Sequence, residues 1–150
     1  MKRKNKKQQF AELGDLIIKG KLPDRKPKRV RPLFKTEGDP REKAVQAECK
    51  GVLRSIGAFC FITTAGLLYN ARGGKVKGVP QGTADIVGLL PGGRYIEVEC
   101  KHRTGGYLSP EQYDHGIEIT NDGGVYLVAC SGKELLHKLA ERDLIERFDL

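Results

Sequence analysis

The sequence predicts an α/β domain, on three observations. Segments with apolar residues at helical spacing alternate with short β-branched and aromatic runs. Capping sequences and glycine-rich turns separate them, and a cationic stretch broken by prolines comes before them all. The expected order is α-β-β-β-α-β-α in a domain of residues 39–150, preceded by a basic arm and linker over residues 1–38.

A chain of 150 residues fits one domain, and 39% hydrophobic residues suffice for one core while leaving part of the chain solvated. The solvated part is the arm. Residues 1–35 hold thirteen of the 27 Lys and Arg but three of the 19 acids, so the arm is +10 and residues 36–150 carry −2. Such an arm attracts polyanions by counterion release, which makes nucleic acid the expected partner, against a solvated tail that only aids solubility. No apolar run is long enough to span a membrane, and no apolar core follows the basic N-terminus as in a secretory signal. A cytoplasmic protein of a bacterial or phage-infected cell is expected. Cys49, Cys60, Cys100 and Cys130 form no CxxC pair and are read as buried small hydrophobes, neither disulfides nor zinc ligands.

Within the arm, Phe10, Leu13, Leu16 and Ile17 recur at helical spacing, so a short amphipathic helix is expected there, weakened by Gly14. Pro23 to Pro32 reads as an extended linker without a core-facing side. Asp39 caps the first helix of the domain, with Pro40 at its first position, a stripe of Val45, Glu48, Cys49, Val52 and Ile56, and Gly57 as its stop. Ala58–Thr64, Ile86–Leu90 and Tyr95–Lys101 are the expected strands, the last two joined by the turn Pro91-Gly92-Gly93. Ser109 and Gln112 have the form of a capping box with Pro110 between them, opening a helix to about Ile119 that stops at Asn121–Gly124. Val125–Ala129 is a short buried strand, and Ser131 with Glu134 opens a last helix through Leu139.

Chemistry concentrates in the third strand. Side chains alternate along it, so Glu97, Glu99 and Lys101 share one face, a pattern that an ordinary solvent-facing strand also produces. Asp85 stands at the start of the preceding strand, and the turn at 91–93 would bring it beside Glu99. Two adjacent carboxylates repel unless a hard divalent cation such as Mg²⁺ lies between them. Lys101 on the same face could orient the attacking water and offset developing charge. Glu48, set within the apolar stripe, is read either as a further metal or water ligand or as an ion pair at the stripe's margin. Gln112, already explained by capping, is a weaker candidate at the start of a helix that can point at the site.

These residues resemble the PD-(D/E)xK nuclease core: the αβββαβ order, Asp85, and then Glu99-Cys100-Lys101, with Ala84 where a proline is usual. More narrowly, the stretch GTADIVGLLPGGRYIEVECKHRTGGYLSPEQ is similar to the VRR-NUC family, with Leu108, Ser109 and Gln112 at the family's spacing and the likeness covering about residues 40–131. The resemblance implies a restriction-endonuclease-like core, with a mixed central sheet flanked by helices. It implies Asp85, Glu99 and the backbone carbonyl of Cys100 as metal ligands, Lys101 as catalytic lysine, Glu48 as the helix glutamate and Gln112 as the glutamine near the site. It also implies Mg²⁺ with Mn²⁺ substituting, a Holliday junction or other branched DNA as substrate, and a homodimer. Glu97 is an extra acid where a hydrophobic residue is more common, which leaves Glu97-Val98-Glu99 as a second register; the spacing to Leu108 and Gln112 favours Glu99 with Lys101.

Binding residues are expected in the cationic loop Arg72–Gly78, through Arg72, Lys75 and Lys77, and just past the third strand at His102 and Arg103. The loop reads equally well as a surface hairpin turn. Three functions remain open at this level: a metal-dependent DNA endonuclease, a non-catalytic nucleic-acid-binding protein whose carboxylates are structural, and a basic assembly factor that prefers RNA.

Overall fold

A computed structural model describes residues 25–63 and 67–145. The expected helix at Phe10–Ile17 lies outside them. The described chain is mixed α/β: a mixed four-stranded sheet and three helices, with two small two-stranded sheets beside it. The principal elements are α1 (Glu42–Ser55), β2 (Phe59–Ile62), β5 (Ile86–Leu89), β6 (Tyr95–Cys100), α2 (Pro110–Asn121), β8 (Val125–Ala129) and α3 (Gly132–Glu141). The additional strands are β1 (Lys28–Val30), β3 (Leu67–Tyr69), β4 (Lys75–Lys77) and β7 (Gly106–Leu108).

The sheet runs β2-β5-β6-β8, antiparallel except for the parallel pair β6–β8. The turn after β5 closes as expected, with Leu90 N–H donating to Arg94 O at 2.8 Å, so β5 and β6 are neighbours. A parallel partner for β6 requires a crossover, and α2 supplies it between β6 and β8. Alternation then divides the sheet. Ile86, Ile96, Val98, Cys100, Leu127 and Ala129 face Val45, Cys49 and Leu53 of α1 and Leu135 and Leu139 of α3, and together form the core. All four cysteines are free and buried.

The opposite face carries α2, seated over β8. Gly116 makes that seat possible: a Cβ there would come within 2.7 Å of the Tyr126 ring. Among the described residues no helix covers the β2–β5 half of this face, where Phe59 and Phe61 are 69% and 49% exposed. Among the described residues no helix is long and apolar enough to cross a membrane.

Three local expectations are corrected. Asp39 does not cap α1; its carboxylate accepts from the backbone and guanidinium of Arg41, and the helix begins at Glu42 without a side-chain cap. A neighbouring cation outcompetes the helix N–H groups for that carboxylate. The linker reading of residues 23–32 fails at β1, which pairs antiparallel with β7. The segment that follows is also fastened, by Leu33 N–H on Glu134 and by the Phe34 ring edge against His137. At α3, Ser131 caps Glu134 N–H at 3.1 Å, but the Glu134 carboxylate turns to Cys130 N–H and Lys138 instead of back to the cap, so the box is half formed.

Candidate active site

Register brings the two carboxylates together. Ile86 lies opposite Val98 and Val87 opposite Glu97, so one further step along the ladder puts Asp85 opposite Glu99 on the α2 side of the sheet. Thr63 N–H donates to Asp85 O at 2.8 Å, extending the β2–β5 pairing to the same level. Asp85 is fixed by Cys100 N–H, which donates to Oδ2 at 2.8 Å. The strand reaches this position from Gly82, whose φ of +90° and approach to Glu111 O leave no room for a side chain: a Cβ would stand 2.6 Å from that oxygen.

Glu99 and Lys101 are both buried, and Lys101 Nζ donates to Glu99 Oε1 at 2.8 Å. Gln112 joins them from α2: its Nε2 donates to the same Oε1 at 2.6 Å, and its Oε1 accepts from Lys101 Nζ at 3.3 Å. The helix start that holds Gln112 is a complete capping box with Ser109 as cap. One glutamine therefore caps α2 and braces the lysine and the glutamate at once.

Burial, above all, and then repulsion from Asp85 push the Glu99 carboxyl up to about 7 against an ordinary value of 4.5, with Lys101 opposing. Burial likewise raises Asp85, opposed by the Cys100 N–H bond and by Lys101. Desolvated like charges side by side are a costly arrangement that a cation relieves.

The donors on Glu99 converge on Oε1 and the donor on Asp85 sits on Oδ2, so among the described residues Glu99 Oε2 and Asp85 Oδ1 carry no protein donor. That donor set suits a small hard cation that keeps several of its own waters. Among the described residues, no group of three or more His, Cys, Asp or Glu side chains converges for a metal, so protein ligation there rests on the pair and on backbone or water oxygens.

No family model, curated protein or solved structure matches the chain.

Glu97 is set apart from the pair although it shares their face. It is 1% exposed and fully engaged: Tyr95 O–H donates to it at 2.6 Å, Ala84 N–H at 3.0 Å, and His115 Nε2 lies 2.8 and 2.9 Å from its two oxygens. Its bond to Ala84 anchors the residue before Asp85. In this arrangement Glu99, and not Glu97, stands beside Asp85 and Lys101.

Glu48 does not join the pair. Its side chain is 41% exposed, bound in an ion pair to Arg103 and accepting from Gly132 N–H at 3.1 Å. The ion pair at the stripe's margin is the arrangement found. The acid of α1 whose charge reaches the site is Glu42, which raises both Asp85 and Glu99. Glu42 is itself exposed, but it lies three residues before Val45 and seven before Cys49, on the same side of α1, and that spacing is the signal that finds it.

Arg103 is corrected as well. It is 6% exposed, and besides Glu48 it donates to Asp39 O at 3.1 Å and Thr36 Oγ1 at 3.1 Å, while its own N–H donates to Pro40 O at 2.9 Å. It clamps residues 36–40 onto α1 and is not open to a phosphate. Arg103→Ala should therefore lower unfolding stability by about 2 kcal/mol, because it strands Asp39 O and the Thr36 hydroxyl and leaves Glu48 with Gly132 N–H alone. In a urea titration the midpoint falls, while DNA affinity of the folded variant is unchanged. Intact stability with weakened DNA binding would instead return Arg103 to the binding surface.

The remaining candidates are separately placed. His102 Nδ1 lies 2.7 Å from Thr104 Oγ1 at the start of the turn to β7. The cationic loop is a hairpin: β3 pairs with β4, and Asn70 Oδ1 accepts from Arg72 and Gly74 N–H across its turn. Arg72 and Lys75 are exposed there, and Lys77 ends β4.

Proposed function

We propose that this chain is a metal-dependent DNA endonuclease with a restriction-endonuclease-like, VRR-NUC-type core, acting on branched DNA. The observation that carries the reading is the register pairing of Asp85 with Glu99, with Lys101 two residues on and held by the same Glu99 oxygen. Asp85 and Glu99 would hold Mg²⁺, or Mn²⁺ in its place, with the Cys100 carbonyl as a further candidate ligand. When bound, the cation supplies Lewis acidity toward the phosphate and lowers the pKa of coordinated water.

The other work falls to the chain itself. Gln112 and Glu99 restrict Lys101 Nζ to one place, where its charge can position a water and offset negative charge on the phosphate. Arg72, Lys75, Lys77, His102 and the basic arm supply phosphate contacts. Cytoplasmic location is part of the same proposal, in keeping with four free buried cysteines.

Labelled linear, flap, nicked and four-way DNA incubated with purified protein tests it. Cleavage should need Mg²⁺ or Mn²⁺, stop in EDTA, and favour a branched substrate over linear duplex. DNA binding with no cleavage under any divalent ion would support the rival reading, a non-catalytic basic binding protein.

We further propose a homodimer, formed through the open β2–β5 half of the sheet. Phe59, Leu89 and Tyr95 form one exposed cross-strand row there, and Phe61 leads the next, above Val87 and beside the row of Asp85. Sedimentation velocity should give twice the chain mass, reduced to one by Phe61→Asp. A monomeric parent chain at micromolar concentration ends this part of the proposal.

A further inference from the structure

Glu97 is a buried acid that the proposed chemistry leaves unused, and its partners tie it to Asp85. Ala84 N–H, Tyr95 O–H and His115 Nε2 converge on its carboxylate at 3.0, 2.6 and 2.8 Å. Ala84, itself fully buried, is gripped on its other side too, where the Thr63 hydroxyl donates to Ala84 O at 2.6 Å. Both peptide groups flanking Ala84 are thus held. Asp85 leaves them in one direction, and Cys100 N–H then fastens its carboxylate.

Glu99 has a brace of its own in Lys101 and Gln112. The two braces meet on α2. Gln112 and His115 are three residues apart, so they are neighbours on one side of that helix. Gly82 lets the chain ahead of Ala84 lie against the same turn, since a Cβ there would stand 3.1 Å from His115 Cβ. One stretch of α2 therefore places both carboxylates, and their separation cannot widen without breaking buried hydrogen bonds.

A fixed separation discriminates between cations. Mg²⁺ demands near-ideal octahedral geometry at about 2.1 Å, whereas Ca²⁺ accepts about 2.3–2.6 Å in flexible geometry. We infer that Glu97, held by His115, is a positioning residue that makes the Asp85–Glu99 pair select a cation of Mg²⁺ size over Ca²⁺. The inference rests on the proposed reading of the pair as a metal site and adds the residues that set the size of the ion.

Calorimetric titration of the full chain at pH 8, with Mg²⁺ and separately with Ca²⁺, tests it without any cleavage being read. Glu97→Gln turns an amide NH₂ toward the donors that Glu97 now accepts from. It should weaken Mg²⁺ binding by about tenfold or more and Ca²⁺ binding by less than about threefold, so the affinity ratio moves toward Ca²⁺. His115→Phe keeps a ring beside Tyr126 but removes the donor, and it should move the ratio the same way. It carries the test if Glu97→Gln does not fold. Variants that melt lower than the parent but keep its ratio make Glu97 a residue of the fold alone and overturn the inference, as does an equal loss for both ions. A parent chain that binds neither ion overturns the metal reading itself, so the two failures appear in different samples.

Discussion

Asp85→Asn is expected to cut the rate of DNA cleavage by about a thousandfold while leaving the fold in place. Asparagine has the same shape and keeps an oxygen to accept from Cys100 N–H, which now bonds Oδ2 at 2.8 Å, so the β5–β6 junction is preserved. What goes is one of two negative charges at the level where β5 and β6 face each other. Lys101→Ala should lose activity on a similar scale by another route, since it removes the cation that Glu99 and Gln112 hold in place. The two losses should fall well short of multiplying in the double variant, because the groups act on one bound phosphate. Single-turnover rates on the best branched substrate measure all three. A parent-like rate for Asp85→Asn would remove the pair from the reaction.

The elements that carry this site were legible because their signals are local. Alternation along Tyr95–Cys100, a glycine turn before it and the Ser109–Gln112 box after it need no information from distant residues, and each forms where expected. The pairing of Asp85 with Glu99 follows from the short turn joining the two strands, which sets their register. Where the deciding partner is remote in sequence, local signals fail. Lys28–Val30 has two cations in three residues and no strand pattern of its own; it becomes a strand because Gly106–Leu108 offers an unpaired edge.

Arg103 shows the same limit in the site. A basic residue just past a strand of candidate site residues reads as a phosphate contact, and only the crossing of residues 36–40 over it turns it into a buried clamp. Glu48 and Glu42 differ by less than two helical turns. The stripe read as Val45, Glu48, Cys49, Val52 and Ile56 takes in Glu48, whereas the face that is sealed runs Val45, Cys49 and Leu53, with Glu48 exposed at its margin and Glu42 exposed one turn before it.

The raised Glu99 carboxyl gives the second large effect, in stability. Its folded value of about 7 exceeds its ordinary 4.5, so the folded chain holds a proton that the unfolded chain releases between those limits. The contribution of this carboxyl to stability is thus full below about pH 4.5, falls as pH rises toward 7, and above that has lost roughly 3 kcal/mol, with the raised Asp85 adding in the same direction. A divalent cation held by the ionised pair, as proposed, would oppose that loss, so Mg²⁺ should raise the melting temperature by several degrees at pH 8 and by little at pH 5.5.

Asp85→Asn separates this from nonspecific salt effects. With the neighbouring charge gone, Glu99 should titrate lower, and the variant should melt at or above the parent at pH 8 without metal and show no response to Mg²⁺. That is the behaviour expected of the proposed site, since the repulsion that weakens the metal-free fold would also favour cation binding. Thermal melts of parent and variant at pH 5.5 and 8, with and without Mg²⁺, decide the matter. If the parent's melting temperature ignores Mg²⁺ at pH 8, or the variant responds as the parent does, the two carboxylates do not share a cation.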